Sequence, residues 1–145
     1  MSVLHYWDVT FGDADPAGIA YYPRILDACH RAFETFFAQA VKEPYAQTFL
    51  REDVGFPTVS LTAEFRSPMR FGDRMRIEVD VSALSARSVT FRYRFTRESD
   101  GIHCATIRNV TVAIARGRFA AVSIPSRYRE VFQSHLHEQG DSEQK

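Results

Sequence analysis

Chemistry concentrates in residues 11–23, which read Phe11-Gly12-Asp13-Ala14-Asp15-Pro16-Ala17-Gly18-Ile19-Ala20-Tyr21-Tyr22-Pro23. Pro23 suits the first turn of a helix, where its missing N–H costs nothing and its fixed φ is already helical. The loop therefore delivers two carboxylates, Asp13 and Asp15, to a helix N-terminus. Unpaired amides and the positive end of the helix dipole favour an anion there, or an oxygen gaining negative charge. A carboxylate beside such a spot can act as base or nucleophile on an acyl group whose carbonyl oxygen the amides hold. Gly18 lets the backbone come close to a ligand. Asp and Pro-Ala-Gly are also ordinary turn and cap residues, so local chemistry alone leaves both uses open.

The elements that must carry this loop are legible in the apolar periodicity. Leu4 to Phe11 reads as a strand from its Tyr, Trp, Val, Thr and Phe content. From Pro23 to about Val41 the residues Ile25, Cys29, Ala32, Phe36 and Ala40 form one helical stripe, widened by Leu26, Phe33 and Phe37. Period-2 alternation follows in three runs. In these, Val59, Leu61, Ala63 and Phe65, then Met75, Ile77, Val79 and Val81, then Val89, Phe91, Tyr93 and Phe95, point to one face. Residues 103–115 and 119–124 complete five strands after the helix, and Pro125 to about Gln133 reads as a short closing helix. One broad apolar helix before an antiparallel meander predicts an α+β layer. Residues 1–133 form the expected domain, and 134–145 (SHLHEQGDSEQK) a polar tail.

Composition bounds the function classes. The 145 residues carry 18 bases and 18 acids, with 45% hydrophobic residues, an ordinary globular balance that excludes disorder. The neutrality hides a basic middle: residues 54–129 carry a net of +7, and 16 of the 18 bases are arginine. Arginine favours forked contacts with phosphate or carboxylate. Neutrality and the lack of a recognition motif argue against nucleic acid. No apolar run approaches the roughly 18 residues that span a bilayer, so no membrane role is expected. The N-terminus lacks a secretory signal pattern, and Cys29 and Cys104 are isolated, so a reduced cytoplasmic setting is expected, with neither a structural disulfide nor a metal.

The string FGDADPAGIAYYP resembles the N-terminal signature of the 4-hydroxybenzoyl-CoA thioesterase family, within the hotdog-fold acyl-CoA thioesterases. The likeness covers nearly the whole chain. It implies a hotdog fold, a long central helix wrapped by an antiparallel sheet of about six strands. It also implies hydrolysis of an acyl-CoA, here of the aromatic 4-hydroxybenzoyl kind, to free acid and CoA. By resemblance Asp15 is the catalytic carboxylate, as nucleophile or general base, and the Tyr22 backbone amide polarises the thioester carbonyl. Gly18 is the loop glycine, Tyr21 stands near the acyl pocket, and Asp13 supports the loop. Arg87 and Ser88 match residues that meet the CoA nucleotide, while Pro57 and Thr58 of the GFPT run at 55–58 would face the Asp loop from the partner subunit. The place of a further CoA-binding arginine falls on Ala120, with Arg116 or Arg118 as substitutes. The working unit implied is a homodimer or homotetramer with interfacial sites, needing no cofactor beyond the CoA of its substrate.

Other residues point less sharply. His30 lies beside the apolar stripe as a core-edge or interface residue, and the cysteines read as small core residues. The arginines alternating along residues 91–97 read as a solvated strand face, with CoA phosphates as the competing use. A non-catalytic acyl-CoA binding or sensing module on the same fold is the alternative function. The presence of Asp15 argues against it. A hotdog dehydratase would want a histidine near the helix start, and none stands there.

Overall fold

The broad apolar stripe must be covered, and in the computed structural model, which describes residues 2–137, one antiparallel sheet covers it. Strand β1 (Val3–Asp8) leads through a single 3-10 turn at Phe11–Asp13 and the Asp loop into helix α1 (Tyr22–Phe36). The helix runs on as a π turn, Phe37–Val41, that closes with Lys42 in the left-handed region at φ 68°. A short helix α2 (Tyr45–Leu50) and strand β2 (Val54–Gly55) follow. Next come the long strands β3 (Thr58–Phe65), β4 (Arg74–Leu84), β5 (Ser88–Arg97) and β6 (His103–Val112). The dipeptide strands β7 (Ile114–Ala115) and β8 (Ala120–Ala121) and helix α3 (Ser126–Ser134) complete the chain.

The main sheet has the order β1-β4-β5-β6-β3, every pair antiparallel, and β2-β7-β8 form a second small sheet. This is the hotdog arrangement, with five strands in the main sheet instead of about six, because the run 119–124 pairs with β7 in the small sheet and never joins it. Met75, Ile77, Val79, Val81, Val89, Phe91, Tyr93 and Phe95 are buried against α1 as their alternation predicts. Phe33 and Phe36 meet Phe91 edge-on at 5.2 and 5.5 Å. Such pairs add to the burial energy because ring edges are electropositive and faces electronegative.

Two sequence expectations fail here, each for a physical reason. The alternation in β3 predicts one buried face, yet Val59, Leu61 and Phe65 are 61, 41 and 53% exposed. The helix lies over the other half of the sheet, and β3 is an unpaired edge. Nor is Ser134 onward a free polar tail: Ser134 ends α3, His135 is buried, and Leu136 bridges Val81. The amide of Val81 donates to His135 O at 3.0 Å and that of His137 to Val81 O at 2.8 Å, extending the sheet beyond the start of β1. The remainder of the expected tail, 138–145, lies outside the described residues.

Candidate active site

Hydrogen bonding builds the Asp loop from within. The Asp13 carboxylate accepts from the Thr10 amide at 2.9 Å and the Thr10 hydroxyl at 3.0 Å, and its backbone oxygen accepts from the Tyr21 amide at 2.8 Å. Burial alone would raise the Asp13 pKa, but the Thr10 donors, the Trp7 indole and the Arg24 charge outweigh it and hold the acid below its ordinary range. Asp13 is therefore a brace, as the resemblance implies. The loop is also anchored to the segment before β4, with Ala20 donating to Met69 O at 2.6 Å and Val9 to Asp73 O at 2.9 Å.

Asp15 is treated differently. Its Oδ1 accepts one bond, from the Ala17 amide at 2.9 Å, while Oδ2 has no partner among the described residues. Gly18 closes the turn by donating to Asp15 O at 2.8 Å, with φ at +86°. Open space surrounds the position a Cβ would take, so conformation and not crowding demands glycine. The Tyr22 amide starts α1 without a partner, Pro23 has none to offer, and the Arg24 amide folds back to Tyr21 O at 2.8 Å.

Asp15, Tyr21, Tyr22, Ile25 and Phe65 together line a cleft of about 590 Å³. The structure thus brings three of the sequence-predicted residues together: Asp15, Tyr21 and Tyr22. Gly18 lies on the other side of Asp15, in a second recess with Phe11 and Phe71. Pro57 and Thr58 line a separate cavity of about 380 Å³ with Leu26, His30, Leu61 and Tyr93. The two spaces are successive stretches beside α1 and β3.

The CoA candidates stand apart. Arg87 and Ser88 sit at the β4–β5 turn, where Ser88 Oγ meets Ser85 Oγ at 2.6 Å. The Asp loop docks just before Arg74, at the opposite end of the 11-residue β4, roughly 33 Å away at 3.3 Å per residue. Arg116 is committed to structure: it donates to Phe49 O at 2.9 Å and to Leu50 O at 3.4 Å, and stacks over the Phe49 ring. Arg118, in the β7–β8 turn, is exposed and its side chain has no partner among the described residues.

The arginines of β5 correct the sequence reading. Arg92 is 1% exposed and grips Asp80, 0% exposed, through two bonds of 2.9 and 2.8 Å. Arg94 reaches Glu78 at 3.0 Å, and Arg97 holds Asp100 and Pro68 O, both at 2.7 Å. Ion pairs and hydrogen bonds hold all three, so they do not form a freely solvated strand face. A signal was present: a hairpin centred on Ala86 sets Asp80 directly opposite Arg92 and Glu78 opposite Arg94. His30 is exposed, pairs with Glu34 at 3.1 Å, and borders the second cavity, as an edge residue should.

Comparison with known proteins agrees with this architecture. The chain is 26% identical over 125 residues to the 1,4-dihydroxy-2-naphthoyl-CoA hydrolase of Synechococcus elongatus, covering 86% of this chain and 90% of that one. A thioesterase superfamily structure from Jannaschia sp. superposes with a TM-score of 0.87 at 25% identity, covering 94% of each chain. The 4-hydroxybenzoyl CoA thioesterase of a Pseudomonas strain superposes with a TM-score of 0.81 at 26% identity, covering 90% of this chain and 98% of that one. The family model described as thioesterase-like superfamily matches residues 9–136, from the strand entering the Asp loop to the closing helix, and the chain belongs to that superfamily.

Proposed function

We infer that this chain is an acyl-CoA thioester hydrolase whose acyl group is aromatic. The observation that carries the reading is the shared cleft: it is lined both by Asp15, whose carboxylate has one uncommitted oxygen, and by Tyr22, the residue that starts α1 with an unpartnered amide. In the proposed reaction the thioester oxygen lies at the Tyr22 N–H, where the dipole of α1 favours the charge it gains. Asp15 Oδ2 either attacks the carbonyl carbon, expelling CoA thiolate and leaving a mixed anhydride for water to cleave, or takes a proton from the attacking water. Either route ends in the free acid and CoA, and neither step calls on a metal or cofactor. The aryl preference is supported by relatives named for 1,4-dihydroxy-2-naphthoyl and 4-hydroxybenzoyl CoA esters. The free cysteines, both buried, suit a reducing cytoplasm.

A homodimer completes the site. The exposed edge of β3 is a template for a second strand. Two-fold antiparallel pairing of β3 with its copy would bring the partner's Thr58 beside Phe65, and with it the partner's Arg87 and Ser88 to the Asp15 end. That arrangement unites residues that one chain holds at opposite ends. Sedimentation of the active enzyme as a monomer would overturn it.

The reading is tested by thiol release from benzoyl, 4-hydroxybenzoyl, phenylacetyl and aliphatic CoA esters. Hydrolysis led by the ring-bearing esters is expected. A panel left intact would end the enzyme assignment.

A further inference from the structure

The β7–β8 hairpin turns through Arg116, Gly117, Arg118 and Phe119, between the paired Ala115 and Ala120. Its base is firmly held. Arg116 donates to Phe49 O and Leu50 O and lies over the Phe49 ring, while Asp53 accepts from the Gly117 amide at 2.9 Å. Phe119, the last residue of the turn, stands in the left-handed region at φ 51°. Glycine is at ease there, whereas a bulky side chain is strained. Packing does not account for the strain, because Phe119 is 75% exposed. Backbone strain held in place without a packing reason points to a use outside the fold.

Two guanidiniums share this end of the molecule. Arg118 precedes Phe119 in the turn. Arg87 stands on the β4–β5 turn, which is tied to the chain on both sides of the hairpin: the Ala113 amide donates to Arg87 O at 2.8 Å and the Ile124 amide to Ala86 O at 2.9 Å. Both arginines are exposed, and neither side chain has a partner among the described residues.

We propose that Phe119 stacks on the adenine ring of CoA, with Arg118 and Arg87 serving its phosphates. The inference rests on the thioesterase reading and deepens it at the nucleotide end of the substrate. Every base has a π face, so stacking on an aromatic side chain needs no hydrogen-bond match. Forked guanidinium contacts suit phosphate oxygens. An exposed ring with two uncommitted cations on the same end of the fold is therefore matched to a phosphorylated nucleoside, and less well to an acyl chain or a bare anion. Ala120, beside Phe119, is the place where the family resemblance puts an arginine, and the ring supplies by stacking what that position lacks in charge. In the dimer proposed above, this end of one protomer lies at the Asp15 end of the other, so the nucleotide is held by the protomer that does not supply the carboxylate.

The test compares two thioesters of one acid, 4-hydroxybenzoyl-CoA and the 4-hydroxybenzoyl thioester of N-acetylcysteamine, which has no nucleotide. Phe119→Gly is expected to raise KM for the CoA ester about tenfold with kcat unchanged, since the nucleotide binds alike before and during the reaction. The short ester should show no change, and Phe119→Tyr should keep the native KM. Phe119→Gly relieves the left-handed backbone, so its melting temperature is expected at or above the native value. A KM for the CoA ester unmoved by Phe119→Gly overturns the proposal, as does an equal rise for both esters or a fall of several degrees in melting temperature. If neither ester is cleaved, the hydrolase reading falls instead, and calorimetric binding of CoA alone decides: a Kd about tenfold weaker in Phe119→Gly is expected, and an equal Kd or no binding overturns the proposal.

Discussion

The two ends of the chain's main helix use a carboxylate in opposite ways. At the far end, beyond the π turn, Glu43 is buried and saturated. Thr48 donates to it through a short bond, the Tyr128 hydroxyl at 2.9 Å, and Arg127 at 3.0 Å. Burial would raise its pKa, but these donors in that order pull it below the ordinary range. Tyr128 in turn is pushed up to about 12, first by burial and then by its bond to Glu43. The same end is packed with rings, Phe37 meeting Tyr45 at 4.9 Å and Phe132 at 6.3 Å. At the near end Asp15 has one amide donor and Tyr21 and Tyr22 stand exposed. A carboxylate that locks a fold has its oxygens filled, whereas one kept for a substrate has an oxygen left over.

Matched amide substitutions sharpen the contrast most. Asp15→Asn is expected to lower kcat about 10²–10⁴-fold, the range for loss of a positioned base, with the melting temperature unchanged, since Asn can still accept from the Ala17 amide. Glu43→Gln is expected to do the reverse. It should cost about 1–3 kcal/mol of stability from weakened charge-assisted bonds, read by denaturant unfolding, with kcat near native. A stable Glu43→Gln, or an active Asp15→Asn, would break the contrast.

The smallest effect lies in pH. Burial first, and the charge of Arg31 second, lower the His5 pKa below the ordinary 6.5. His103 is likewise lowered by burial and then by Arg66 and Arg94. The unfolded chain therefore binds their protons at higher pH than the folded one does. Stability should be full above about pH 6.5 and fall as pH drops through 6.5 toward the lowered folded values. His5→Gln should flatten that slope in a melting series, and an unchanged slope would assign it elsewhere.

How far such features were legible depended on the range of the interaction. The Asp loop and α1 are local: Pro23, Gly18 and the Asp spacing announce themselves within thirteen residues. Strands β3, β4 and β5 follow from alternation. The exposed side of β3 was invisible because alternation records a face that prefers burial, not which layer arrives to cover it. The segment 134–137 looked polar, yet backbone pairing with Val81 needs no apolar side chain. Arg92 looked solvated because its partner, Asp80, lies on another strand.

The most direct test of the central claim is a structure of Asp15→Asn bound to an uncleaved aryl-CoA ester. The thioester oxygen is expected within hydrogen-bond distance of the Tyr22 N–H, with the substituted carboxamide beside the carbonyl carbon. An ester seated with its carbonyl away from the start of α1 would contradict it.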